Sequence, residues 1–167
     1  MVEQQQSRDR GVATLEEGLT RMPVCRLDDA SHPDHAMYKT ARMLVHDLDR
    51  QHGRDPDTKS DNLAASLVVS ARATGLERID QIALSDDASR LWGVQRPPGV
   101  RDHFFDRQAS TDTMLGMSTP ISESSNRWPD AMQSYEAVRQ SEAQNRQQAL
   151  DQMQAQSVNA PSMSPTR

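Results

Sequence analysis

The chain contains a single cysteine, Cys25, so neither an internal disulfide nor a multi-cysteine zinc site can form within it. A reducing cytoplasm is the simplest origin for such a sequence. Long apolar runs are also missing. No stretch could span a bilayer, and Met1 to Arg10 carries three glutamines and several charges where a signal peptide needs an apolar core. Export would therefore depend on some other signal. Clustered Lys and Arg are absent and the net charge is -5, which argues against nucleic acid and membrane insertion. The seven glycines are scattered, with no spaced set before a helix to cradle a phosphate. Neither a cofactor nor a metal is called for, and internal repeats are lacking. What remains is 167 residues, room for one compact domain with polar ends.

The punctuation of the chain places the elements. Residues 1–27 read as a flexible leader with one weak capping box from Thr14 to Glu17. Ser31-His32-Pro33-Asp34 reads as a helix start, with Ser31 as cap. Met37, Ala41, Leu44, Val45 and Leu48 then recur at helical spacing, and Gly53 offers a left-handed closing position. A second helix is predicted over Thr58 to Thr74, with Leu63, Ala64, Leu67, Val68 and Ala71 on one face and Gly75-Leu76 forming its cap.

Arg78 to Leu84 and Arg90 to Gln95 read as an antiparallel hairpin around Ser85-Asp86-Asp87-Ala88-Ser89. Ile82 and Leu84 share one face. Trp92 and Val94 are expected to point inward, with Gly93 admitting something bulky behind them. A third strand is expected near Arg107 to Thr113, and Phe104 and Phe105 are expected in the core. A helical turn over Met114 to Met117 should stop at Thr119-Pro120. From Trp128 the composition changes: eight glutamines fall between Gln133 and Gln156 with few aliphatic residues. Such a segment buries too little apolar surface to offset about 1 to 2 kcal/mol per residue of chain entropy, so disorder or transient helix is expected. The reading is thus an α+β domain over 28–127, with two helices packed on a small antiparallel sheet, followed by a disordered Gln-rich tail over 128–167.

Few residues suggest chemistry. His32 and His35 lie near Asp28, Asp29 and Asp34, but that spacing across a helix start suits capping and solvation better than three or four convergent metal ligands. Cys25 has no motif around it, and Asp86-Asp87 suits a turn. Arg78 and Asp80 flank Ile79 and point outward, either as a structural ion pair or as partner contacts. Trp92 reads first as a core aromatic and second as a binding anchor.

Five stretches carry a family resemblance in order and spacing: His32-Pro33-Asp34-His35-Ala36-Met37-Tyr38; Asn62-Leu63-Ala64-Ala65-Ser66-Leu67; Gly75-Leu76-Glu77-Arg78-Ile79-Asp80; Trp92-Gly93-Val94-Gln95; and Asp112-Thr113 followed by Thr119-Pro120-Ile121. Together they resemble the Xanthomonadales Vir-interacting-protein conserved domain, XVIPCD, over about residues 28 to 125. Arg96 stands where that family often has glycine, and Pro97 to Phe105 departs from its pattern. The resemblance implies a non-enzymatic secretion-signal domain, normally C-terminal in antibacterial effectors, that binds the coupling-protein ATPase of a type IV secretion system through that protein's cytoplasmic all-α region.

On that footing the expected partner contacts are Arg78, Asp80, Trp92 and Gln95 on the platform and Gln140, Gln144, Gln147 and Gln148 on the tail. The chain is expected to be a monomer, passing from the producer's cytoplasm into a rival bacterium, with a cognate immunity protein if a toxin is attached. About 27 residues precede the match, too few for an independent enzyme, so an excised targeting domain or a minimal protein is expected. The rival readings are a small toxin acting through His32, His35 or Cys25, and an adaptor that presents another effector.

Overall fold

The computed structural model describes residues 25–158. Most of the expected leader and the last residues of the expected tail lie outside the described residues. The architecture is α+β: α1 (His35–Gln51), α2 (Thr58–Ala73), β1 (Gln81–Leu84), β2 (Arg90–Gln95), β3 (Arg107–Asp112), α3 (Thr113–Ser118) and α4 (Ile121–Val158). The strands form one antiparallel sheet in the order β1-β2-β3.

The two expected helices are present. α1 starts later than predicted, with Asp34 rather than Ser31 at its N-cap and no side-chain capping bond. The Ser31 hydroxyl turns away to donate to Asp29 Oδ1 at 2.8 Å. α2 has a reciprocal capping box: Asp57 accepts from the Ser60 amide, and the Ser60 hydroxyl accepts from the Asp57 amide. Its end is a Schellman turn, in which the Leu76 amide donates to Ala71 O at 2.9 Å and the Gly75 amide to Arg72 O at 3.0 Å. Gly75 sits at φ +89°, the left-handed conformation this turn requires.

α2 is the central element, packed against α1, α3, α4 and the sheet. Its Leu63, Ala64, Leu67, Val68 and Ala71 meet Met37, Tyr38, Ala41 and Val45 of α1 in the core. Leu27, which falls within the expected leader, is fully buried there, and its amide donates to Ser125 Oγ at 3.0 Å.

The hairpin runs in the register Ile82 opposite Gly93 and Leu84 opposite Leu91. This register puts Ile82, Leu84, Leu91, Gly93 and Ala109 on the face toward α2. The expectation that Trp92 and Val94 face inward is therefore reversed. A Cβ at Gly93 would lie 3.3 Å from Leu67 Cδ1, so the glycine's lack of a side chain is what seats α2 on the sheet. Trp92 stands on the opposite face, half-buried, between the small residues Ala83 and Ser110. At the hairpin tip Asp87 Oδ1 accepts from the hydroxyls of Ser85 and Ser89 at 2.6 and 2.7 Å. Those bonds pull its pKa down to about 2, in keeping with the turn reading.

Two further expectations are corrected. Phe104 and Phe105 lie in a 3-10 turn between β2 and β3 and are exposed instead of buried. The segment from 128 onward, expected to be disordered or transiently helical, is helix as far as Val158, continuous with residues 121–127. Its first half is held by packing that a count of aliphatic residues overlooks. Ile121, Ser124, Ser125 and Ala131 are buried, Trp128 packs against the core, and Val138 lies over Gly75. From residue 143 to residue 158 every position is exposed, so docking ends after Glu142 and not at Trp128, where the composition changes. None of the described helices is long and apolar enough to cross a membrane.

Candidate partner-binding face

The structure brings Arg78, Asp80 and Gln95 into one network at the end of the hairpin away from its tip. Arg78 Nε donates to Asp80 Oδ1 at 2.9 Å, and Asp80 Oδ2 accepts the Arg96 amide at 2.8 Å. The Arg78 guanidinium also donates to Arg96 O. From the other strand, Gln95 Oε1 accepts the Glu77 amide at 2.7 Å and the Arg78 amide at 3.4 Å. These bonds satisfy backbone groups where the β1–β2 ladder runs out, so the three side chains latch the hairpin as well as lining an exposed rim.

Glu77 extends the latch to α4. Its carboxylate takes Arg139 and the Tyr135 hydroxyl, the latter at 3.4 Å. One turn further on, Glu142 pairs with Arg107 at 2.6 Å, and Arg107 also donates to Gly75 O at 3.2 Å. Gln140 is therefore exposed beside the residue that reaches the latch. Gln144, Gln147 and Gln148 lie past the last tie to the body, exposed on the projecting part of the helix. Trp92 shares none of these bonds. It is half-buried, flanked by neighbours too small to cover it.

Sequence reasoning missed a buried polar hub nearer the start of α4, on the same helical stripe as the latch contacts. Asp34, 4% exposed, receives Arg72 Nε at 2.8 Å, the second Arg72 nitrogen at 2.5 Å and Trp128 Nε1 at 2.6 Å. One carboxylate thereby joins the entry to α1, the end of α2 and the first third of α4. Burial pushes the Asp34 pKa up, but the bonds from Arg72 and Trp128 outweigh it and hold the group below the usual carboxylate range. Arg72 also donates to Leu76 O at 3.2 Å and lies 5.0 Å over the Tyr135 ring.

His32 completes the hub. Its Nδ1 accepts the Asp34 amide at 3.0 Å, its ring meets Trp128 edge-on at 4.7 Å, and its Nε2 has no partner. Burial holds its pKa below 6.5, partly opposed by the Asp34 charge. His35 Nδ1 meets Leu27 O at 3.1 Å, and Cys25 Sγ meets Ser31 Oγ at 3.1 Å. No group of residues able to hold a metal occurs among the described residues. The signal that could have revealed the hub is the spacing of Ser125, Trp128, Tyr135 and Glu142 on one helical stripe.

The family described as X-Tfes, XVIPCD matches residues 28–130, which takes in the body from the hub to the first third of α4. A comparison with curated proteins finds no match.

Proposed function

Because the chain belongs to the X-Tfes XVIPCD family, a family of type IV secretion effector signal domains, we propose that it acts as a docking platform. In this reading it recruits its effector to the coupling-protein ATPase for transfer into a rival bacterium. It works by recognition and not by catalysis. The family match across the folded body carries the reading. Three structural features support it. The latch preorganises a polar rim at Arg78, Asp80 and Gln95, so little ordering entropy is lost on contact. Trp92 supplies a half-covered aromatic on the open sheet face, the residue type most enriched among binding anchors. The exposed glutamines of α4 extend contact beyond the body.

The test is a calorimetric titration of the full chain against the cytoplasmic all-α region of a cognate coupling protein. Wild type should bind, and Trp92→Ala should weaken binding while leaving the fold intact, because its neighbours Ala83 and Ser110 do not depend on it for burial. Arg78→Ala and Asp80→Ala are poorer probes, since both also open the hairpin latch. Absence of binding by a well-folded wild-type chain would overturn the reading in favour of an adaptor or a stand-alone toxin.

A further inference from the structure

His32 holds the entry to α1 in a way that only its neutral form can. The ring is 4% exposed, and its Nδ1 accepts the Asp34 amide at 3.0 Å. That bond places the imidazole proton on Nε2, which is buried and has no partner among the described residues. Nδ1 stands where an asparagine oxygen would stand in an Asx turn, two residues ahead of the amide it accepts. An imidazolium carries N–H on both ring nitrogens, so no rotation of the ring restores an acceptor. A proton on His32 therefore sets two N–H groups against each other at the α1 entry.

The ring cannot turn aside without consequence. It meets Trp128 edge-on at 4.7 Å, and Trp128 Nε1 donates to Asp34 Oδ2 at 2.6 Å. Movement of the imidazole thus bears on the bond by which α4 is seated. The surrounding charges are few. Asp34 and Asp29 favour the cation and His35 opposes it, while Arg72 of α2 offsets much of the Asp34 charge. α4 presents the uncharged Trp128 ring, and its Glu123 and Arg127 pair with each other at the surface. With burial against it as well, the cation is disfavoured in the closed hub and favoured in water.

We propose that His32 is a proton-operated release for α4. A proton taken from solvent bonds to Nδ1, the Asp34 amide loses its acceptor, and Trp128 leaves the hub. α4 then lifts from the body while α1, α2 and the sheet stay folded. Asp34 does not trigger this event, because its carboxylate stays charged through mild acid. Nothing in this device depends on the docking function.

Amide exchange of the full chain between about pH 7.5 and about pH 5, corrected for the intrinsic rate, reads the release. Opening that takes up one proton raises the open population by up to about tenfold per pH unit below about 6.5. Protection over residues 124–142 should fall with that slope and stay below the protection of α2. His32→Asn keeps an acceptor for the Asp34 amide, does not titrate, and should flatten the slope; His35→Gln should leave it. Protection of α4 that ignores pH overturns the release. So does a slope that survives in His32→Asn or vanishes in His35→Gln, and so does loss of α4 and α2 protection together. Should His32→Asn fail to fold, wild type decides alone: the His32 ring titration followed by NMR should coincide with the loss of α4 protection. Ring titration with α4 still protected, as a new bond from the imidazolium to the Asp34 carboxylate would give, refutes the device.

Discussion

Replacing Asp34 by Asn should be among the most damaging single changes that preserve side-chain size. The substitution keeps the shape but removes the charge that Arg72 and Trp128 share. The Arg72 side chain, 15% exposed, would be left as a nearly buried cation. Breaking one side of a buried ion pair costs about 3 to 5 kcal/mol. Arg72 keeps its bond to Leu76 O and its place over Tyr135, so the low end, about 3 kcal/mol, applies. A loss of this size removes a large fraction of the roughly 5 to 15 kcal/mol that holds a domain folded. The assay is urea unfolding followed by the fluorescence of Trp128, in a Trp92→Phe background that leaves one reporter. Arg72→Met should be similarly destabilising, and the double variant should be less than additive, because each single change orphans the other's charge. Additive losses, or an Asp34→Asn cost below about 0.5 kcal/mol, would refute the hub as the clasp between α1, α2 and α4.

The same hub sets the pH response. His32 has a folded pKa below its unfolded value near 6.5, so the unfolded chain takes the proton first and stability falls as pH drops through that value. Asp34 is also depressed, so its contribution is present above the ordinary carboxylate value near 3.8 and is lost on further acidification. Melting temperatures across pH should therefore decline in two stages, and His32→Gln should remove the upper one; a single stage near pH 4 in wild type would contradict this. Gly75→Ala should cost about 2 to 4 kcal/mol, combining left-handed strain with overpacking. Its Cβ would lie 2.8 Å from Val138 Cγ1, so Val138→Ala should recover the packing part, and equal cost in both backgrounds would show that α4 does not lie over the cap. Amide exchange should be slow through about Glu142 and fast over residues 143–158, where an unsupported polar helix is marginal in water. Core-like protection there would mean that the projecting part is held by something other than the body.

Much of the fold was legible because its elements are bounded by side chains with one clear physical use. Gly53 and Gly75 end α1 and α2, and Asp87 with two serines shapes the hairpin tip, whereas the capping box of Asp57 and Ser60 that opens α2 emerges only in the structure. What failed did so for identifiable reasons. The size of Trp92 points to the core, but strand faces alternate, and the short distance from Gly93 to Leu67 decides which face meets α2. Hydrophobicity alone points Phe104 and Phe105 to the core, although they fall in a polar-capped loop that leaves the sheet. α4 carries little signal in the sequence because, beyond Ile121, Trp128 and Val138, its contacts use serine, alanine, tyrosine and two ion pairs, none of which registers in a count of leucines. Arg78, Asp80 and Gln95 were found as a set, but their role as a hairpin latch depends on backbone groups that sequence does not locate.

The position of the last tie to the body changes where platform and tail divide. A boundary after residue 127 would cut between Arg127 and Trp128, severing the helix at the residue that donates to Asp34 and discarding Tyr135, Val138 and Glu142 with it. A chain shortened there would lose binding even if every partner contact lay on the sheet, because the hub and the latch would both come apart. Among the described residues, shortening after Glu142 removes only exposed ones. It leaves Glu77 paired with Arg139 and Arg107 with Glu142, so any affinity lost by that shorter cut belongs to Gln144, Gln147, Gln148 and their neighbours rather than to a damaged fold.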